Sequence, residues 1–331
     1  MSNTLIRNPT YVWQTSYGLL EINGPDAKDL IHRLSTNDIM GLKQWQSTTT
    51  IFTNPKGRII DRVRIAITES AIYMYTSASL APTIAKWLDT YTFMEDISVE
   101  DVTEKHVIFE VMGIESEASA SDLQILGDIT GTDAPSLNEL ATNQVKSTDF
   151  QVITRTDDPV TPTFLIHMPV PSTQSTLRMK HPHLFPNVEW LTASRRDALR
   201  IDAGIPQSPN ELNLKTNPLE AGLRGDINFE KGCYIGQEVI LRLDTYKKVK
   251  RHLIKVSLEQ GTPPVIGSDI VRLGDLVSCG KLTSLSEKID GTGFEGLALV
   301  KSAVQDFDQD FEIHQNQNTW KVYLHSLQED E

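Results

Sequence analysis

A lysine, a cysteine and two glycines fall within six residues at Lys231-Gly232-Cys233-Tyr234-Ile235-Gly236, and Gln237-Glu238 follow directly. Glycine on both sides leaves a thiol accessible and lets backbone approach a ligand closely. The neighbouring Lys231 ammonium favours thiolate, the nucleophilic form of cysteine. Gln237 to Leu241 reads as the opening of a helix, although Val239 and Ile240 also suit a strand. As a helix it places Cys233 just before an N-terminus whose partial positive charge again favours thiolate. The same residues equally suit a buried structural cysteine in a tight turn.

A second chemical candidate lies upstream. Asn54-Pro55-Lys56-Gly57 is turn chemistry, and Arg58 to Ile67 alternates as a strand does. Asp61, Val63, Ile65 and Ile67 share one face, with Arg62 and Arg64 on the other. A carboxylate heading an apolar face is exposed at the strand end, paired, or at a pocket rim, and the pattern alone favours exposure. Asp202 stands in the last turn of a helix predicted from about Thr192 to Ala203 and stopped by Gly204 and Pro206. A carboxylate there opposes the helix dipole, so solvent or a pair with Arg200 or Arg196 must offset it.

Other groups point away from chemistry. His181-Pro182-His183 has no third ligand nearby and reads as loop rather than metal site. Lys247, Lys248, Lys250, Arg251 and His252 form a basic cluster without interleaved aromatics. That composition suits a solvated strand or a polyanionic substrate tail better than nucleic acid. Gly291 to Gly296 matches G-x-G-x-x-G but has neither the preceding apolar strand nor the following helix of a dinucleotide site, and is expected to be a hairpin turn. Cys279 lies in a strand run and is expected to be structural.

These groups need elements to hold them. With 331 residues the chain has room for two or three domains and an ample core. A net charge of −13 makes nucleic acid and anionic membranes poor partners. Two cysteines supply neither a disulfide framework nor four cluster ligands, and with no apolar leader at Met1 to Pro9 a cytoplasmic location is expected. Strands are predicted at Tyr17–Ile22, Arg58–Ile67, Ala71–Thr76, Ile97–Val102, Val107–Met112, Gln151–Thr154 and Phe164–Met168. A helix opening at Pro25 buries Ala27, Leu30, Ile31 and Leu34, and another carries Leu80, Ile84, Trp87, Leu88 and Tyr91. A polar helix is a candidate at Ser121–Leu126. From Leu253 onward six short strand runs alternate with glycine turns, the pattern of an all-β barrel.

The octapeptide 231–238 resembles K-G-C-[FY]-x-G-Q-E, the signature of the YgfZ family of folate-binding proteins. These are relatives of the glycine-cleavage T-protein (aminomethyltransferase) and are linked to iron–sulfur cluster assembly and repair. Weaker likenesses to T-proteins lie at 24 to 38, 54 to 61, 199 to 206 and 217 to 223. The resemblance implies an α+β T-protein architecture: two ferredoxin-like subdomains, 1–46 with 104–245 and an inserted 47–103, then a C-terminal β-barrel at 246–331. It implies tetrahydrofolate, or a one-carbon-substituted form, as cofactor. It makes Cys233 the reactive group with Lys231 as its electrostatic support. Asp61 matches an aspartate required for aminomethyl transfer, although Arg62 replaces the usual second acid. Asp202 matches a pterin-binding glutamate, one methylene shorter. Arg200, Glu220, Tyr234, Gly236, Gln237 and Glu238 complete the expected folate contacts. The implied partners are folate and iron–sulfur assembly proteins or their clients, with the chain expected to be monomeric. An aminomethyltransferase, or a protein that holds folate only structurally, are the other two readings.

Overall fold

A computed structural model of the chain describes residues 10–112, 140–148, 151–156, 163–170, 188–273, 277–304, 306–307, 309–315 and 318–327. The helix candidate at Ser121–Leu126 and the pair His181 and His183 lie outside the described residues.

In chain order the elements are β1 (Thr10–Gln14), β2 (Gly18–Asn23), α1 (Ala27–Leu34), β3 (Ser47–Thr53), β4 (Ile59–Ile67), β5 (Ile72–Thr76), α2 (Ala81–Thr90) and β6 (Ser98–Asp101). They continue with β7 (His106–Met112), β8 (Val145–Thr148), β9 (Gln151–Thr156), β10 (Thr163–Pro169), β11 (Val188–Trp190), α3 (Ala193–Asp202) and α4 (Gln237–Thr245). Last come β12 (Arg251–Leu258), β13 (Asp269–Arg272), β14 (Ser278–Glu287), β15 (Phe294–Lys301), β16 (Phe311–Gln315) and β17 (Asn318–His325). One sheet runs β11-β1-β7-β10-β9-β8, a second β3-β4-β5-β2-β6, and the last six strands close into a barrel in the order β12-β15-β14-β13-β16-β17.

The architecture is the expected mixture of α/β sheets with a C-terminal barrel. Gly291 and Gly293 lie in the turn that joins the antiparallel strands β14 and β15, with Gly296 already in β15 opposite Leu285. Cys279 is buried in the barrel core with Leu282, Phe311 and Ile313. One expected boundary differs. A cut between 46 and 47 removes β2 from the second sheet, yet β2 pairs there with both β5 and β6.

By internal packing the chain divides into two compact units. One comprises Met1–Ile31, Asp38–Thr49 and Val63–Thr192, the other His32–Asn37, Thr50–Arg62 and Ala193–Glu331. In the first unit, Leu19, Ala66, Tyr75, Ile108, Val152 and Leu165 share a core drawn from both sheets. In the second, the barrel has its own core, and Ile201 of α3 packs on Leu253, Leu297 and Leu299 of the barrel strands. Ile51 and Ile59 are covered by Leu212, Ala221 and Leu223.

Candidate functional site

Cys233 and every residue expected to act with it belong to the second unit. Residues 231–236 form an irregular loop that runs into α4, so Gln237 opens a helix and Gly236 caps it. Cys233 is exposed. The loop around it is pinned on both sides. On one, the Lys231 ammonium donates to the carbonyls of His32 (2.5 Å), Ser35 (2.7 Å) and Asn37 (2.8 Å), where α1 ends. Three acceptors match its three N–H donors, so Lys231 is a clamp on a helix C-terminus as well as a charge two residues from the thiol.

On the other side, Gly236 has φ 85°, and a Cβ there would lie 2.7 Å from both the Asn54 carbonyl and the Thr53 hydroxyl. Thr53 Oγ1 donates to the Ile235 carbonyl at 2.5 Å. The close approach that glycine permits is therefore to the Asn54-Pro55-Lys56-Gly57 turn rather than to a ligand, and Gly57 answers by packing on Val239 and Ile240. Gly232 has open space where a Cβ would go. Two sequence motifs more than 170 residues apart are thus one structural object.

Tyr234 points inward, against Ile227 and Ile240, with Leu219 and Phe229 beside them. Burial pushes its hydroxyl up to about 12. That hydroxyl is buried and has no hydrogen-bond partner among the described residues. Lys231 Nζ lies 5.3 Å from the ring centroid.

Asp61 lies on β4, whose burial alternates through Ile59, Asp61, Val63 and Ile65 as the sequence pattern predicts. The carboxylate is fully buried, not exposed at a strand end, and accepts from the Arg62 backbone N–H at 2.9 Å. Arg62 points to the opposite face, where its Nε meets Asp226 at 2.6 Å. Its charge is thereby matched by a carboxylate other than Asp61. Thr36, fully buried, joins these pieces: its hydroxyl donates to the Asp226 carbonyl (2.7 Å) and accepts from Ile51 N–H (3.0 Å). Sequence reasoning passed over Thr36 and Asp226, although Asn37-Asp38 beside the first was noticed.

Three expected folate contacts are occupied by the fold. Glu220 accepts from Arg58, from two nitrogens of Arg251 and from the Asn217 backbone N–H, all at 2.9–3.1 Å. Arg200 is buried and donates to Asp197, the Ile205 carbonyl, Glu211 and Ser284, tying α3 to β14. Asp202 is about half exposed and pairs with Lys255 of β12 at 2.6 Å rather than with Arg200 or Arg196. Burial alone would lower the Lys255 pKa, but Asp202 and Glu295 outweigh it and raise it. Glu238 is exposed on the first turn of α4. In this arrangement Asp202, Arg200 and Glu220 each tie segments of the second unit together, whereas Asp61 is a buried acceptor and Tyr234 a buried hydroxyl with no hydrogen-bond partner among the described residues.

No helix among the described residues is long and apolar enough to cross a membrane, and no group of three or more His, Cys, Asp or Glu among them is placed to hold a metal ion.

The GCVT N-terminal domain family matches residues 8–155. A chloroplastic protein of Arabidopsis thaliana named as a transferase is 31% identical over 294 residues, covering 86% of this chain, which spans 63% of that protein's length. The aminomethyltransferase of Thermoanaerobacter sp. (strain X514) is 23% identical over 93% of this chain and 83% of its own. The crystal structure of glycine cleavage system aminomethyltransferase T from Bartonella henselae superposes with a TM-score of 0.82 at 19% identity, over 97% of this chain and 86% of that one. The sheets and barrel have the fold of that T-protein, and residues 8–155 match the GCVT N-terminal domain family.

Proposed function

We propose that this protein binds tetrahydrofolate, or a one-carbon-substituted form of it, and uses the Cys233 thiol in iron–sulfur cluster assembly or repair in the cytoplasm. The observation that carries this reading is an exposed cysteine on a loop fixed from both sides, by the Lys231 clamp and by the Gly236 contact. A thiol held this way keeps its orientation when a client approaches. Two cysteines cannot supply four cluster ligands, so the cluster is a client protein's and the protein here meets it with one thiol. Asp61 and the Tyr234 hydroxyl are the groups whose chemistry suits a polar heterocycle. An unpartnered buried hydroxyl costs about 1–3 kcal/mol, which a bound ligand would relieve. Calorimetry with tetrahydrofolate on the purified protein tests the ligand. Rescue of an iron–sulfur enzyme in cells lacking the native protein tests the thiol: Cys233→Ala should abolish rescue while leaving folate affinity intact.

Asp61 favours a second reading, an aminomethyltransferase. Its carboxylate is buried, and the Arg62 charge that replaces the usual acid is turned away and paired with Asp226. There, Asp61 would orient tetrahydrofolate for attack on a carrier-borne aminomethyl group, a contribution worth several powers of ten in rate. Turnover of the aminomethylated glycine-cleavage carrier that Asp61→Asn abolishes, with Cys233→Ala silent in both assays, would establish this reading over the first.

A further inference from the structure

Asp226 ends the short 3-10 turn Arg224–Asp226, upstream of Cys233, and is held twice. Its carboxylate accepts from Arg62 Nε at 2.6 Å, and its carbonyl accepts from the Thr36 hydroxyl at 2.7 Å. Thr36 is itself locked to Ile51 of β3: its N–H donates to the Ile51 carbonyl and its hydroxyl accepts from the Ile51 N–H, both at 3.0 Å. The Asn228 N–H then reaches the Thr36 carbonyl at 3.0 Å. The Asn228 side chain in turn accepts from the Glu230 and Lys231 N–H groups at 2.9 Å. At the far end of the cysteine loop, Thr53 holds the Ile235 carbonyl and Gly236 sits against Asn54. The segment 226–236 is therefore strung between two anchors on residues 50–62, the stretch that carries Asp61, and all of these residues belong to the second unit.

The two anchors differ in kind. At 235–236 the contact is too tight to admit a Cβ. At Asp226 it is a charge-assisted side-chain pair whose arginine is 31% exposed, strong enough to hold and open enough to release. Arg62 also serves both faces of β4. Its backbone N–H donates to the Asp61 carboxylate at 2.9 Å while its guanidinium holds Asp226. The orientation of the Asp61 carboxylate and the hold on the cysteine segment thus depend on the conformation of one residue.

We propose that Asp226 is a positioning residue that couples, through Arg62, a ligand on Asp61 to the order of the cysteine loop. The proposal rests on the tetrahydrofolate reading above and adds how that site is regulated. With the Arg62–Asp226 pair closed, the Asp61 carboxylate is preset for a donor on the ligand and residues 226–231 are fixed. With the pair released, both loosen. A ligand that prefers the closed pair shifts the population towards it, and by linkage the closed pair raises the ligand's affinity by the same factor. The thiol is then held most firmly when folate is in place.

Hydrogen exchange read by mass spectrometry, with and without saturating tetrahydrofolate, tests this. In wild type the ligand should slow exchange of the amides of residues 227–231 by roughly fivefold or more. Asp226→Asn keeps an acceptor for Arg62 but removes the charge, and Arg62→Gln removes the charge from the other side. Each variant should still bind tetrahydrofolate, more weakly by up to about the same fivefold, with the slowing reduced to about twofold or less. The double variant should be no worse than either single one, because both break one contact. One folded variant suffices, since the two approach that contact from opposite sides. Slowing that survives intact in a variant means that the ligand covers the segment directly, and overturns the role of Asp226. Unchanged exchange in wild type that binds tetrahydrofolate overturns the coupling and leaves the folate reading standing. No binding by wild type overturns both.

Discussion

A methyl group at position 236 would meet the Asn54 carbonyl and the Thr53 hydroxyl at 2.7 Å, and the backbone there is left-handed. Both obstacles are fixed parts of the fold, so neither can yield cheaply. Gly236→Ala should therefore cost at least about 1–3 kcal/mol in urea unfolding, while Gly232→Ala, which meets nothing within 4 Å, should stay within roughly 0.5 kcal/mol. Comparable losses at the two positions would show that the loop is not held as described. The two cysteines make a second comparison. Cys233 is exposed and Cys279 buried in the barrel, so alkylation followed by mass spectrometry should modify Cys233 roughly a hundredfold faster or more. Similar rates would remove the contrast. At this scale the sequence was informative where a property is local. It marked Cys233 between glycines, and the alternation after Asp61 gave the correct face. It was silent where a partner arrives from afar: Lys255, which pairs Asp202, stands 53 residues later and is brought there only by the docking of α3 on the barrel.

Among the elements, β10 and β5 of the first unit share a buried polar contact. His167 Nδ1 lies 2.8 Å from the Tyr75 hydroxyl, with the Tyr73 ring centroid 4.4 Å away and that of His106 5.2 Å away. Burial, and secondarily His106, pulls the His167 pKa from 6.5 down to about 3. Burial likewise pushes the Tyr73 hydroxyl up to about 12 and raises Tyr75. Because its folded pKa is depressed, neutral His167 contributes its full stability above pH 6.5. Between 6.5 and about 3 the unfolded chain binds a proton that the folded one refuses, and stability falls by up to roughly 4 kcal/mol across that window. Denaturant unfolding from pH 7 to 4 should show the decline, and His167→Gln, which keeps a polar partner for Tyr75, should flatten it. An unchanged slope in that variant would rule out His167 as the source. The six barrel strands could be read in advance because alternating apolar residues and glycine turns are short-range signals. Strand β3, Ser-Thr-Thr-Thr-Ile-Phe-Thr, escaped notice because its buried face is largely hydroxyl and carries no polar–apolar alternation.

For the whole molecule, the telling feature is that the second unit is assembled from His32–Asn37, Thr50–Arg62 and Ala193–Glu331. Its barrel was visible in the order of short strands, and the fold class came from the resemblance, but this threading was not visible, since it depends on contacts between segments that no local pattern links. The threading has a consequence during synthesis. Ile51 and Ile59 leave the ribosome well over a hundred residues before Leu212, Ala221 and Leu223, which cover them. At 5–20 residues per second they wait roughly 10–30 s with apolar surface open to solvent. Through that interval the Asn54 turn has no cysteine loop to receive. Pulse proteolysis of ribosome-stalled chains should cleave near residues 50–62 when the stall falls shortly before 212, and should lose that cut once 193–331 has emerged.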